Sequence, residues 1–136
     1  MSRKLTDLRP AMQPLATKFL AACRAEGIDL LVTCTLRSNE EQAALYAQGR
    51  TKPGKVVTNA KPGQSMHNHG LAIDVVPLRA GKPVWGTAGE DGKLWKRIGE
   101  IGEKVGLEWA GRWNKPPLGA EMPHFQHPQA SALRKR

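Results

Sequence analysis

Cysteine, aromatic residues and long apolar runs are all scarce in this sequence of 136 residues. The two cysteines, Cys23 and Cys34, lie inside apolar segments without the spacing of a zinc knuckle, which favours buried reduced thiols over a disulfide. No segment is long and apolar enough to span a membrane, and no stretch of signal-peptide length follows Arg3 and Lys4. We therefore expect a protein that is made in the cytoplasm and does not insert stably into a membrane.

Acidic residues are the minority among the charged side chains. The sequence has 21 Lys and Arg against 12 Asp and Glu, which gives a formal net charge of +9. Such an excess favours contact with a nucleic acid, an anionic membrane or an anionic cell wall, or it serves solubility alone. The sequence lacks a stripe of interleaved aromatic and arginine residues for stacking bases, so a nucleic-acid partner is not expected. The basic tail at residues 133–136 is expected to fray.

Three helices are predicted from hydrophobic periodicity and capping signals. Apolar residues recur at spacings of three and four over residues 8–22, and Pro14 marks the start of the regular helix or a bend in it. Ser38 and Glu41 form a capping box that opens the second helix. Residues 94–105 show the same apolar periodicity and give the third. The predicted helices end near Gly27, Gln48 and Gly106.

Strands are predicted where apolar residues form short β-rich runs. Residues 30–36 and 71–76 indicate two buried strands, the second ended by Pro77, and two shorter strands are expected at 107–109 and 124–126. Residues 50–69 read as a long loop with a short strand at 56–58, and residues 81–83 as a turn. The whole is a small α+β domain over residues 1–136, with a mostly antiparallel sheet flanked by about three helices.

Asp74 is the first residue to suggest chemistry, because it interrupts an apolar strand where an unpaired carboxylate is unfavourable. A cation, an arginine or several N–H donors must compensate for its charge. His67 precedes Asp74 by seven residues, and Gly70 between them permits a sharp turn that folds the imidazole back over the strand. A single His–Asp pair is also the pattern of an ordinary hydrogen bond.

The segment from Glu121 to His124 supplies a second histidine and a second carboxylate. Two histidines and one aspartate form a catalytic zinc set with a fourth position for water, and a carboxylate outside the set can accept the proton of that water. Glu121 is placed for this role, although it also reads as a solvated loop residue. His69 and His127 are competing ligand candidates, with a surface position as the simpler interpretation.

Arg37 follows the first predicted strand, where a planar guanidinium can point into a cleft. It suits a substrate carbonyl or carboxylate, and equally a surface position at a helix start.

The histidines, carboxylates and Gly70 described above form a motif that resembles the zinc peptidases of bacterial cell walls, namely D-Ala-D-Ala carboxypeptidases, D-Ala-D-Ala dipeptidases and phage L-alanyl-D-glutamate endopeptidases. The residues that carry the resemblance are Ser65, His67, Gly70, Ala72, Asp74, Glu121 and His124. Residues 35–38, 45–54 and 106–109 are similar to the phage endolysin branch.

This resemblance implies a hedgehog/DD-peptidase-like fold and a single Zn2+ ion held by His67, Asp74 and His124. It also implies that Glu121 is the catalytic base and that Arg37 contacts the substrate and the oxyanion. The remaining site residues would be Ser65 as a hydrogen-bonding support, with Trp109 and Trp113 near the cleft.

The implied function is that of a monomeric peptidoglycan endopeptidase. It would cut stem peptides at L-Ala-D-Glu during host cell lysis, after another protein has permeabilised the membrane. The sequence departs from the phage branch at Glu121, where Asp is usual, and at Ala110, where Gly is usual. Glu is usual at this position in the carboxypeptidase and dipeptidase branches, so D-Ala-D-Ala carboxypeptidase or dipeptidase activity stays open as an alternative. A zinc-binding wall module without catalysis, and a nucleic-acid binder suggested by charge alone, also stay open.

Overall fold

The structure, a computed structural model that describes residues 1–136, has four helices around one antiparallel sheet. The helices are α1 (Gln13–Ala25), α2 (Asn39–Ala47), α3 (Gly89–Val105) and α4 (Ala130–Leu133). The strands are β1 (Leu30–Cys34), β2 (Ala72–Arg79), β3 (Lys82–Pro83), β4 (Glu108–Trp109) and β5 (His124–Gln126). The strand order is β1-β2-β5-β4, and β3 pairs with the last two residues of β2. The predicted α+β class is confirmed.

The helix boundaries follow the local signals closely. α1 begins at Gln13 with Pro14 in its first turn, where the missing N–H of proline breaks no helical hydrogen bond. α2 opens with both bonds of the predicted capping box, Ser38 Oγ accepting the Glu41 N–H and Glu41 accepting the Ser38 N–H, each at 3.0 Å. α3 ends at Gly106, whose φ of 108° suits glycine. None of the helices is both long and apolar enough to cross a membrane.

Two strand predictions are wrong. Pro77 lies inside β2 rather than at its end, because it pairs with Leu30 at the first residue of β1 and its missing N–H interrupts no ladder there. Beyond it, β2 turns through Ala80 and Gly81, both at positive φ, into β3. Residues 56–58 pair with no strand, because they belong to the loop that follows α2.

The chain beyond β5 is more ordered than expected for a frayed tail. It forms α4, and the Arg9 side chain donates to the backbone carbonyls of Leu133 at 2.5 Å and Arg136 at 3.3 Å. Both cysteines are free and buried, as predicted, and burial raises the pKa of Cys23 to about 12.

The hydrophobic core lies between the sheet and helices α1 and α3. Phe19 of α1 packs on Phe125 of β5 with ring centroids 4.5 Å apart, and Trp109 of β4 lies 6.3 Å from Phe125 on its other side. Glycines in α3 allow this close approach, since a Cβ on Gly99 would lie 2.3 Å from the Trp109 ring. Packing around Trp109 and Phe125 therefore holds β4 and β5 against α3.

Replacing Gly99 by alanine should destabilise the fold, although alanine favours helix. The added methyl has no space beside the buried indole, so Trp109 must shift, and overpacking of this kind costs about 1–3 kcal/mol. Urea unfolding would measure the loss. Lys96→Ala on the exposed face of the same helix is the control and should change stability by about 0.5 kcal/mol or less. Equal stability of the Gly99→Ala and wild-type proteins would contradict this packing.

Candidate metal centre and catalytic cleft

Two of the predicted metal ligands lie opposite each other on neighbouring strands. Asp74 of β2 pairs in register with His124 of β5, which places their side chains on the same face of the sheet. The adjacent pair, Ile73 and Phe125, points into the core on the other face. The strand alternation thus explains how a carboxylate occurs in an apolar strand without entering the core.

His67 reaches the same point from the loop before β2. Ser65 accepts the His67 backbone N–H at 3.2 Å and starts a short 3-10 helix, Met66–His69. Gly70 ends it with φ at 66°, which is the sharp turn predicted from the sequence. The His67 side chain is only 2% exposed, and its Nε2 lies 2.9 Å from Asp74 Oδ1.

Three potential metal-binding atoms converge here. His67 Nε2 and His124 Nδ1 lie 2.9 and 3.1 Å from Asp74 Oδ1, and all three donor atoms fall within 4.8 Å of one another. Tetrahedral zinc with bonds of about 2.0–2.1 Å spaces its ligands by roughly 3.3 Å, so only a small outward movement is needed. No other group of three His, Cys, Asp or Glu side chains meets this criterion.

The second nitrogen of each imidazole is held by a hydrogen-bond acceptor. His67 Nδ1 donates to the Thr35 carbonyl at 2.8 Å, and His124 Nε2 donates to Gln126 Oε1 at 2.9 Å. When both imidazoles are neutral, each has one N–H, so these bonds leave both lone pairs facing the Asp74 carboxylate, where a proton or a metal ion can be held. Three acceptors this close repel each other unless a cation lies among them. The donor set therefore fits a metal ion such as zinc.

Charge within the cluster moves its pKa values in the direction that this arrangement predicts. Burial lowers the pKa of His67, but the Asp74 carboxylate and its hydrogen bond outweigh burial and raise the pKa to about 10. Burial likewise raises the pKa of Asp74, yet His67 and His124 hold it well below its usual range. The site thus stabilises positive charge beside a permanently ionised carboxylate.

Glu121 lies next to this cluster because residues 121–124 form a tight turn. The His124 N–H donates to the Glu121 carbonyl at 3.2 Å, and the Glu121 N–H donates to the Ala110 carbonyl at 2.9 Å. Burial raises the pKa of the Glu121 carboxyl, while the charges of His124 and Lys115 oppose that rise. A half-buried carboxylate with a raised pKa has the properties of a general base.

Arg37 lies on the other side of Asp74, and its side chain is 10% exposed. Its Nη1 donates to Gln42 Oε1 at 2.8 Å, and its Nη2 lies 4.0 Å from Asp74 Oδ2. Gln42 is fully buried, and its amide also donates to the Ala60 carbonyl at 2.8 Å. Gln42 therefore fixes the guanidinium relative to both the loop after α2 and the cluster.

Replacing Gln42 by leucine should reduce activity through Arg37. The substitution preserves side-chain size but removes the acceptor that orients the guanidinium, so kcat/KM for peptide hydrolysis should fall about tenfold. Unfolding measurements should show a loss of about 1–3 kcal/mol, because buried polar partners lose their bonds. The conservative Gln42→Glu variant keeps an acceptor for Arg37 and should retain more activity. Equal losses in both variants would contradict a positioning role.

The supporting residues fall into two groups. Ser65 and Trp113 line the cleft, and Trp113 stands 5.4 Å from the His124 ring with its Nε1 donating to Glu108 at 2.8 Å. Trp109 is a buried core residue and does not itself line the cleft. It acts on the site from behind, since its Nε1 donates to the Met122 carbonyl at 2.9 Å and holds the turn beside Glu121.

The competing histidines lie apart from the cluster. His69 Nε2 is within 2.8 Å of the Gly63 carbonyl, and His127 Nδ1 accepts the Gln129 N–H at 3.0 Å. Burial alone lowers the pKa of His127, and the charges of the cluster do not contribute to this change. Sequence reasoning missed Thr35, Gln42 and Gln126 as partners of the site. Gln126, two residues from His124 on the same strand face, was the one detectable from alternation.

The metal cluster, Glu121 and Arg37 line a cleft of about 510 Å³. Its lining also includes residues 57–60 and 64–66, together with Glu108, Trp113 and Lys115. The Asn59 amide donates to the Lys115 carbonyl at 3.2 Å, which joins two segments of the lining. A cleft of this size accommodates a short peptide beside the cluster.

Comparison with known sequences identifies the family. Residues 5–127 match VanY, described as D-alanyl-D-alanine carboxypeptidase. The chain belongs to this family. It is accordingly a peptidase, and the VanY match includes all the residues of the cluster, from His67 to His124.

Two proteins with similar sequences are named as peptidases of the L-alanyl-D-glutamate bond. Peptidoglycan L-alanyl-D-glutamate endopeptidase CwlK of Bacillus subtilis (strain 168) is 40% identical over 126 residues, which cover 89% of this chain and 74% of CwlK. The L-alanyl-D-glutamate peptidase of Listeria phage A118 is 28% identical over 111 residues, covering 82% of this chain and 34% of that protein.

Solved structures share the VanY-like fold. L-Ala D-Glu endopeptidase ChiX of Serratia marcescens has a TM-score of 0.65 at 22% identity, covering 94% of this chain and 86% of ChiX. Vancomycin resistance D,D-pentapeptidase VanY, crystallised in complex with Zn(II), has a TM-score of 0.63 at 17% identity, covering 95% of this chain and 79% of VanY. These similarities confirm the DD-peptidase-like fold inferred from the sequence motif.

Proposed function

We propose that this VanY-family protein is a zinc peptidase that hydrolyses the L-Ala-D-Glu bond of peptidoglycan stem peptides. The observation that carries the zinc assignment is the convergence of two imidazole lone pairs on one carboxylate oxygen, with both opposite nitrogens tied to acceptors. The names of CwlK and the phage A118 peptidase support the choice of bond, and the excess of positive charge suits an anionic wall.

The roles of the residues follow from their positions. His67 Nε2, His124 Nδ1 and Asp74 Oδ1 would hold the ion, which when bound supplies Lewis-acid polarisation of the scissile carbonyl and the attacking water. Glu121 accepts the proton that the water loses and then delivers it to the leaving amine. Arg37, held by Gln42, directs its guanidinium towards negative charge that develops on the carbonyl oxygen.

Digestion of purified sacculi tests the bond assignment. The proposal requires new amino-terminal D-Glu in the soluble products, detected by mass spectrometry after labelling of free amines. The matched control is the Glu121→Gln protein, which should release no such termini above background. Products that end in intact L-Ala-D-Glu would overturn the bond assignment, whatever else is cut.

A second candidate is hydrolysis of D-Ala-D-Ala. The family description names a D-alanyl-D-alanine carboxypeptidase, and Glu121 matches that branch of the resemblance better than the phage branch. In the same sacculus digest this activity would release free D-Ala and leave L-Ala-D-Glu bonds intact. The two candidates therefore give different products from one reaction.

We propose a role in host cell lysis for the same activity. The similarity to the Listeria phage A118 peptidase supports this role, with the protein accumulating in the cytoplasm and meeting the wall after another protein opens the membrane. Expression in a Gram-negative host should leave growth intact until a membrane-permeabilising protein is induced. Lysis without permeabilisation, or survival after it, would contradict this role.

A further inference from the structure

The cleft contains one side-chain cation without an anionic partner. Its lining includes one arginine and one lysine, Arg37 and Lys115, and Arg37 is bound to Gln42 beside Asp74. The Lys115 ammonium makes no hydrogen bond or ion pair, and its contact is with the face of Trp113, 4.1 Å from the ring centroid. A cation that lines a peptide-sized cleft and lacks a carboxylate is available to a carboxylate of the ligand.

Neighbouring residues hold Lys115 in a defined place. Its carbonyl accepts two hydrogen bonds, from the Gly119 N–H at 2.8 Å and from the Asn59 amide at 3.2 Å. Trp113, on which the ammonium rests, is itself held by Glu108 through its indole N–H at 2.8 Å. The Lys115 side chain is exposed, and its ammonium is presented to the cleft from the face of the Trp113 ring.

This position lies on the Glu121 side of the metal cluster. Trp113 stands 5.4 Å from the His124 ring, so a single aromatic ring separates the ammonium from a ligand residue. The charge of Lys115 also reaches the Glu121 carboxylate, where it opposes the effect of burial on the pKa. Glu121 delivers the proton to the leaving amine, so Lys115 lies beside the half of the substrate that carries that amine.

The chemistry of D-glutamate supplies the anion. D-glutamate has two carboxyl groups. One forms the amide bond to the next residue of the stem peptide, and the other remains free close to the scissile nitrogen. On the basis of the proposed function, we propose that Lys115 is a specificity-determining residue that binds the free carboxylate of D-glutamate on the leaving-group side. Arg37 is left to act on the scissile carbonyl.

Two synthetic peptides that differ in this group test the inference. One contains L-Ala-D-Glu with the free carboxylate, and the other carries a primary amide in its place. The wild-type protein, loaded with zinc, should cleave the carboxylate form about tenfold faster in kcat/KM, the gain of one charge-assisted bond. Lys115→Met should reduce that ratio to within about twofold, with most of the loss on the carboxylate peptide, while Lys115→Arg should retain it.

Lys55→Met is the matched control. It removes an exposed cation from the loop after α2, outside the cleft lining, and should preserve the tenfold ratio. Cleavage of both peptides with an unchanged ratio in Lys115→Met overturns the role of Lys115 and leaves the bond assignment standing. An equal fall of the ratio in Lys55→Met also overturns it, in favour of general charge attraction. Failure of the wild-type protein to cut either peptide overturns the bond assignment, and the inference with it.

Discussion

Replacing Glu121 by glutamine should lower kcat/KM for wall-peptide hydrolysis by about 1,000-fold. The amide cannot accept the proton of the attacking water, and a positioned general base contributes about 10²–10⁴ in rate. Folding should not suffer, because burial raises the pKa of this carboxyl and thereby disfavours its ionised form in the folded state. Steady-state hydrolysis of a labelled stem peptide, together with thermal unfolding and metal content, measures all three quantities.

The matched control is the other glutamate of the cleft, Glu108. Its role in the structure is to accept the Trp113 N–H, which a glutamine oxygen can also do, so Glu108→Gln should lose less than about tenfold. The Glu121→Gln protein should still bind one zinc ion, since Glu121 is outside the converging donor set. Full turnover in Glu121→Gln would remove Glu121 from the reaction and return the search for a base to the other groups of the cleft.

Removal of bound metal should abolish hydrolysis and lower the melting temperature. A ligand at 1,000 times its dissociation constant stabilises the folded state by about 4 kcal/mol, which corresponds to a Tm change on the order of 10 °C or more at this chain length. Addition of zinc to chelator-treated protein should restore both properties. Calorimetry with and without zinc, alongside the peptide assay, measures the two effects in one preparation.

Histidine variants separate specific binding from general metal effects. His124→Ala removes one converging lone pair and should abolish the zinc-dependent rise in Tm. His127→Ala is the control, because that imidazole lies outside the cluster, and the rise should persist. Hydrolysis that survives prolonged chelation would contradict the metal assignment, as would an equal Tm response in both variants.

Local signals in the sequence were sufficient for most of the fold. The capping box of Ser38 and Glu41 and the glycine at 106 predicted the ends of helices because these contacts are made within a few residues. Pro77 was misread because its effect depends on which neighbouring strand lies beside it, a property of the assembled sheet. Residues 56–58 have strand-forming side chains but no partner, and β-propensity alone cannot supply one.

The residues of the site likewise divide into those that the sequence predicts and those whose position depends on the assembled fold. Residue type and spacing alone leave His69 and His127 as competing ligands. The resemblance implies His67, Asp74 and His124 as the ligand set, and the structure brings these three side chains together. Their second partners, Thr35 and Gln126, depend on which atoms meet across the sheet, and for Thr35 the partner is a backbone carbonyl that any residue type provides. The resemblance implies that Trp109 lies near the cleft, and the structure packs its ring into the core against Gly99.

The pairing of Asp74 with His124 has a consequence for when activity appears. These residues are 50 positions apart, and they meet only when β5 has docked beside β2. Bringing together residues this far apart costs loop-closure entropy, so pairings of this range are intrinsically slow to form. A nascent chain therefore cannot assemble this cluster until His124 has emerged from the ribosome and β5 has paired with β2.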